Sequence, residues 1–312
     1  MSKIITVLGA SGNVGKLVVS YLAEKAYNVR AVGRKLPKYS DSRISNHEVD
    51  FESLEQIMEI VEGSDSFICL IGLEYKTGVW QEKWPSLVEK LILVAEKTSS
   101  KFIFFDNVYG YGLVEGKMTE NSPLRAETGK GLVRQELDEM IQKAIDKKKI
   151  KAVIAKSADF YGPEIYSSVL SDRFFVWAKE KGTAEVFGNP LKKHNYTYVG
   201  DIAHALEKLI NSDFTGNIHL PTQKPLTGLE FGKVLEEVLN KPIKIVGLRK
   251  STVFFLRLFI PILRELYEMM YQSENDYNFD SHKILKMFPD LKVTSYEEGF
   301  KETLDWWEKK AK

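Results

Sequence analysis

The 312-residue chain contains a single cysteine, Cys69, so it can form no internal disulfide, and a lone thiol in the apolar run DSFICLIG fits a reducing compartment. It also lacks charge of one sign: 44 Lys and Arg against 43 Asp and Glu leave a formal net charge of +1. That balance provides no broad basic field and speaks against nucleic acid as a partner. The five histidines show no metal-ligand spacing, so no metal is expected. Internal repeats and low-complexity segments are missing too. The most apolar stretch, VFFLRLFIPILRELYEMMYQ at 253–272, is interrupted by Arg257, Arg264, Glu265 and Glu268 and broken at Pro261, which excludes a membrane span. A helix packed over a substrate cleft or at a subunit interface is expected there, with a helix lying in a membrane interface as the alternative. The first strand begins at about Lys3, leaving no room for a targeting leader, and a cytoplasmic location is expected.

What is present begins at once. Residues 4–15, IITVLGASGNVG, run from an apolar β-type segment into Gly9, Gly12 and Gly15 and then into a helical pattern. A pyrophosphate binds against backbone N–H groups at the positive end of a helix, which requires small or absent side chains. Gly9 permits the turn, Gly12 the approach of phosphate, and Gly15 close helix–strand packing, so residues Gly9, Ala10, Ser11, Gly12, Asn13, Val14 and Gly15 are the expected cradle of a dinucleotide. Apolar runs at 3–8, 28–33, 46–50, 65–71, 101–106 and 151–156 alternate with helical patterns at 13–26, 53–62, 84–98 and 126–148. Such alternation predicts an α/β fold, a doubly wound parallel sheet with its ligand crevice at the strand C-termini. Residues 1–165 are read as the dinucleotide-binding domain. Residues 166–312 form mainly a smaller, mostly helical second lobe, with segments near 184–212 returning to the main sheet. In that lobe helices are expected at 167–181, 200–211, 228–240, 253–271 and 296–310, and strands at 184–187, 217–220 and 242–248. After the second strand come Gly33, Arg34 and Lys35, with no acid to bind a ribose 2′-OH. Paired cations there favour a 2′-phosphate, and therefore NADP(H) over NAD(H), with NAD the alternative.

The GxxGxxG spacing resembles that of the short-chain dehydrogenase/reductase superfamily. Four further segments resemble its extended branch, the NAD(P)-dependent epimerase/dehydratase-like proteins: FIFFDNVYGYG at 102–112, ADFYGPEI at 158–165, HNYTYVGDIAHAL at 194–206, and the pattern from NFDSHK to DWW at 278–307. The resemblance implies a Rossmann-type sheet with a C-terminal substrate lobe, and a homodimer through sheet-flanking helices. It adds Asp50, Phe51, Leu70, Ile71, Gly72 and Lys130 to the expected cofactor contacts. In active members of that family a Tyr four residues before a Lys moves the proton at the substrate oxygen. Here alignment on Lys130 puts Ala126 at the Tyr position, and no tyrosine occurs between Tyr111 and Tyr161. A substitute is therefore expected: Tyr111 or Tyr161 as the phenol, Lys130 or Lys156 tuning it, and Asn107 holding the substrate oxygen. Asp201 reads as an N-cap before Ile202 and His194 as structural. Two functions follow from this pattern. One is an NADP(H)-dependent oxidoreductase or epimerase-like enzyme acting by hydride transfer on a small carbonyl or hydroxyl compound. The other is a non-catalytic NADP(H)-binding redox sensor or assembly partner.

Overall fold

All six apolar runs of the first half become strands of one sheet in the computed structural model, which describes residues 2–166 and 168–311. They are β1 (Ile4–Leu8), β2 (Asn28–Gly33), β3 (Ile44–Glu48), β4 (Ser66–Cys69), β5 (Lys101–Asp106) and the strand Ala152–Lys156. The spatial order is β3-β2-β1-β4-β5 followed by Ala152–Lys156 and, at the far edge, Gly216–His219. The ladders joining β3 through Ala152–Lys156 are all parallel. The central strands β1, β4 and β5 are nearly continuous apolar runs because both of their faces are covered, whereas the edge strand β3 carries Ser45, Asn46 and His47. Helices α1 (Asn13–Glu24), α2 (Leu54–Val61), α3 (Thr77–Thr98) and α4 (Gly129–Asp146) supply the crossovers.

Helix α3 starts seven residues earlier than the expected 84–98, despite the weak helix formers Thr77 and Gly78 and an internal Pro85. Trp80 and Trp84 account for the difference. One turn apart, they lie on the same face and both enter the core, Trp84 edge-on to Phe104.

The chain divides into two units. The first comprises residues up to Gly110, Gly129–Lys156 and Ile202–Ile218; the second comprises Tyr111–Thr128, Ser157–Asp201 and the residues from His219 onward. The stretch that rejoins the sheet-bearing unit is thus 202–218, and 184–201 stays with the second unit. That unit is built on an aromatic core in which Tyr161, Phe174, Phe175, Tyr196, Phe231, Tyr296 and Phe300 pack together. Around it lie the helices Asp172–Lys181, Gly228–Leu239 and Tyr296–Ala311 and the parallel pair Thr183–Phe187 and Lys244–Leu248. Ser167, where the first of these helices is expected to begin, lies outside the described residues. The expected helix at 253–271 is instead three, Lys250–Leu256, Pro261–Tyr267 and Tyr271–Glu274. Pro261 opens the second of them, where its missing N–H and fixed φ suit a first turn. Asp201 does not cap a helix, because Val199–Ile210 begins two residues before it. Its carboxylate instead accepts hydrogen bonds from the Thr294 N–H at 2.8 Å and the Thr294 Oγ1 at 2.7 Å.

Candidate active site

The strand order reverses between β1 and β4, and the turn leaving β1 lies against the turn leaving β4. Gly9 adopts φ +88°, and a side chain on it would bring Cβ within 2.6 Å of the Leu70 carbonyl. Its N–H and that of Ala10 both donate to the Val32 oxygen, at 2.9 and 3.0 Å, which ties the turn to β2. A Cβ on Gly15 would overlap the Gly9 oxygen and meet the Ala10 Cα at 2.9 Å. Gly9 and Gly15 are therefore required by the backbone itself. Gly12 differs: it is the exposed N-cap of α1, its φ of −70° is open to any residue, and no side chain caps the helix. The first turn of α1 holds no acid, so its N–H groups present an uncompensated positive end.

A cavity of about 410 Å³ opens at this point. Gly9, Ser11 and Gly12 form one wall and Gly33 and Arg34 another. Asp50 and Phe51 contribute from the segment after β3, and Leu70, Ile71 and Gly72 from the segment after β4. Of the remaining expected cofactor contacts, Ala10, Val14 and Gly15 are buried beneath the turn, Asn13 is half-buried in α1, and Lys35 is an exposed neighbour of Arg34. Sequence reasoning passed over Glu52, Leu73, Lys83 and Leu87, which also line the cavity. Glu52 is held by Lys90 at 3.2 Å and Lys83 at 3.5 Å, and the hydrogen bond from Lys90 keeps its carboxyl below the ordinary value.

Lys130 is fully buried in the same unit. Its Nζ donates to the Thr77 Oγ1 at 2.9 Å and sits 4.7 Å from the centre of the Tyr75 ring. The Tyr75 hydroxyl is 3.3 Å from that of Tyr109, and the Tyr109 ring stacks near Trp80. Asn107 accepts the Tyr109 N–H on its Oδ1 at 3.0 Å. The sheet-bearing unit thus gathers Lys130, Asn107, Tyr109 and Tyr75. Tyr75 is the member for which no sequence signal existed, since it lies in an irregular segment with no neighbouring motif.

Lys156 has other partners. It forms ion pairs with Asp106 at 3.1 Å and Asp138 at 2.6 Å, while Arg134 meets Asp106 at 3.1 Å and lies over the rings of Trp80 and Trp84. Asp106 and Lys156 are register partners across β5 and Ala152–Lys156, so the sheet itself sets this quartet.

The expected phenols belong to the second unit and are enclosed there. The His219 Nδ1 donates to the Asp280 carbonyl at 2.8 Å, which leaves Nε2 to accept the Tyr111 O–H at 3.0 Å. Tyr161 is surrounded by Phe175, Tyr198, Tyr296 and Phe300, and burial raises its pKa well above the ordinary value. His194 pairs with Asp159 at 2.9 Å and stacks on Tyr277.

A family model described as the NAD dependent epimerase/dehydratase family matches residues 5–219. Among curated proteins, the chain is similar to the dTDP-D-glucose 4,6-dehydratase of Mus musculus, 23% identical over 212 residues that make up 67% of this chain and 56% of that protein. It is also similar to the dTDP-D-glucose 4,6-dehydratase of Dictyostelium discoideum, 21% identical over 263 residues, 73% of this chain and 60% of that one. The chain therefore spans less than two thirds of the length of either relative. Among solved structures, the UDP-N-acetylglucosamine 4-epimerase of Methanobrevibacter ruminantium in complex with UDP-N-acetylmuramic acid superposes with a TM-score of 0.80 at 16% identity, covering 99% of both chains. A dTDP-glucose 4,6-dehydratase of Streptomyces venezuelae with NAD bound gives 0.78 at 16% identity, covering 98% of this chain and 97% of that one. At such identities the likeness to the solved structures is one of fold.

Proposed function

The chain belongs to the NAD dependent epimerase/dehydratase family, and from that premise we propose that it is an NADP(H)-dependent oxidoreductase or epimerase-like enzyme acting on a carbonyl or hydroxyl carbon. Sugar nucleotides are the substrate class to try first, given the names of its relatives. The observation that carries this reading is the cavity at the strand-order reversal, which joins an uncapped helix N-terminus at Gly12 to a cation at Arg34 and the apolar walls of Phe51, Leu70 and Ile71.

These residues fit a dinucleotide. Gly12 and the first turn of α1 would hold the diphosphate, Phe51, Leu70 and Ile71 the adenine with Asp50 at its edge, and Arg34 a ribose 2′-phosphate. When bound, the cofactor supplies a hydride donor or acceptor. Everything else falls to the protein. Lys130 anchors ribose hydroxyls and stabilises a neighbouring phenolate, because an adjacent cation favours the charged form of a phenol. Tyr109, hydrogen-bonded to Tyr75, takes the place of the missing phenol and moves the proton at the substrate oxygen, and Asn107 orients that oxygen. Tyr109 suits the role better than Tyr111 or Tyr161, whose hydroxyls lie within the packing of the second unit. Nicotinamide oxidation or reduction screened against aldehydes, ketones and sugar nucleotides tests the proposal. Tyr109→Phe and Lys130→Met should each lower kcat about 100-fold or more, while Tyr111→Phe leaves most of it. Activity that survives both of the first two changes contradicts the assignment.

Ala126, standing where the family places its proton-transferring Tyr, favours a second reading in which the cofactor is held without turnover and reports redox state to another protein. No turnover with any substrate class, together with NADPH-dependent association with a partner, would select it.

A further inference from the structure

The second unit carries an apolar projection. Helices Lys250–Leu256 and Pro261–Tyr267 are joined by residues 257–260, and the large side chains at the join face outward: Phe255 is 65% exposed, Leu258 62% and Phe259 82%, with Phe254, Leu256, Ile260 and Ile262 also exposed. Beneath them Val253, Leu263 and Met270 form a small core of their own, packed by Phe187, Leu248, Leu266 and Tyr267. The tip thus projects from a small core of its own.

We propose that this hairpin docks the protein on a bilayer surface rich in anionic lipid, with Leu258 and Phe259 entering the acyl region. Two observations select that occupant. First, the tip is satisfied from within. The N–H groups of Arg257, Leu258, Phe259 and Ile260 donate to Val253, Phe255, Leu256 and Leu256, respectively, and the Arg264 guanidinium donates to the carbonyls of Arg257 and Leu258. Such closure suits entry into hydrocarbon, where an unpaired backbone group would be costly. Second, between 249 and 268 the chain carries Arg249, Lys250, Arg257 and Arg264 against Glu265 and Glu268, a surplus of cations in a protein whose net charge is only +1. Arg257 lies over the rings of Phe254 and Tyr267, so cationic and apolar groups share one surface, as an interfacial anchor requires. No helix among the described residues is long and apolar enough to cross a membrane, so the hairpin lies on the surface.

The test is co-sedimentation of the full chain with phosphatidylcholine vesicles and with equimolar phosphatidylcholine–phosphatidylglycerol vesicles, at low and high salt. Binding should favour the anionic vesicles and weaken with salt. It should fall at least about tenfold in Leu258→Ser/Phe259→Ser, and about fivefold for each of Arg249→Gln and Lys250→Gln. Because Leu258 and Phe259 are exposed, the double variant should keep its melting temperature and its NADPH affinity, which separates this result from any failure at the nucleotide cavity. The proposal is overturned if neither vesicle sediments the chain or if the double variant sediments equally well. It is also overturned if that variant instead converts a dimer to a monomer or abolishes capture of an acidic protein.

Discussion

Asp106 faces Arg134 and Lys156 inside the sheet-bearing unit, and Lys156 in turn meets Asp138, so two carboxylates and two cations neutralise one another away from water. Removing one member strands the others. Lys156→Met should cost about 3–5 kcal/mol in denaturant unfolding, far more than an exposed lysine would. Asp201 makes a separate, pH-dependent contribution. Burial pushes its carboxyl from 3.8 up to about 6, outweighing the hydrogen bonds from Thr294, so the folded state prefers the protonated acid. That contribution is fully present below 3.8 and is lost as pH rises through about 6, a swing of about 3 kcal/mol for two pKa units. Asp201→Asn should therefore show a flatter melting temperature than the wild type across this range. Cys69 is buried, and its thiol is pushed up to about 12 by desolvation. Ellman's reagent should leave it unmodified in the native protein and modify it once the chain is unfolded.

At the scale of elements, the glycine turn separates structural from functional need. Gly15→Ala drives Cβ into the Gly9 and Ala10 backbone and should destabilise the protein by about 1–3 kcal/mol. Gly12→Val, whose Cβ would meet the Gly9 oxygen at 3.3 Å, should cost less stability than Gly15→Ala while lowering dinucleotide affinity at least about tenfold. The six strands of the first half were legible because parallel strands covered on both faces are continuous apolar runs, a pattern that survives without any tertiary information. Helix α3 was legible only from its second turn, because Thr77 and Gly78 read as loop until Trp80 and Trp84 find the core. Within the helical pattern at 253–271 the break at Pro261 was legible, because a proline has no N–H to continue a helix, whereas the further break before Tyr271 had no such signal. Strands such as Asp159–Tyr161 and Tyr196–Tyr198 are too short to show alternation and exist only because they pair with each other.

For the molecule as a whole, the reversal of strand order between β1 and β4 converts a local glycine pattern into a cavity, and the lining of that cavity was largely readable for that reason. Gly9, Ser11, Gly12, Arg34, Asp50, Phe51, Leu70, Ile71 and Gly72 are far apart in sequence yet line one space. The groups around Lys130 were only half readable: Lys130 and Asn107 sit on recognisable segments, but Tyr75 reaches them through tertiary packing alone. Selectivity between the two cofactors should lie with Arg34, so Arg34→Glu should invert the preference toward NADH. The most direct measurement is a calorimetric titration of the purified wild-type chain and Gly12→Val with NADPH and NADH. The account predicts saturable binding to the wild type, tighter for NADPH, with marked loss in Gly12→Val. If neither cofactor binds the wild type at millimolar excess, or if Gly12→Val binds as well as the wild type, the nucleotide is not held at the glycine turn and the account fails.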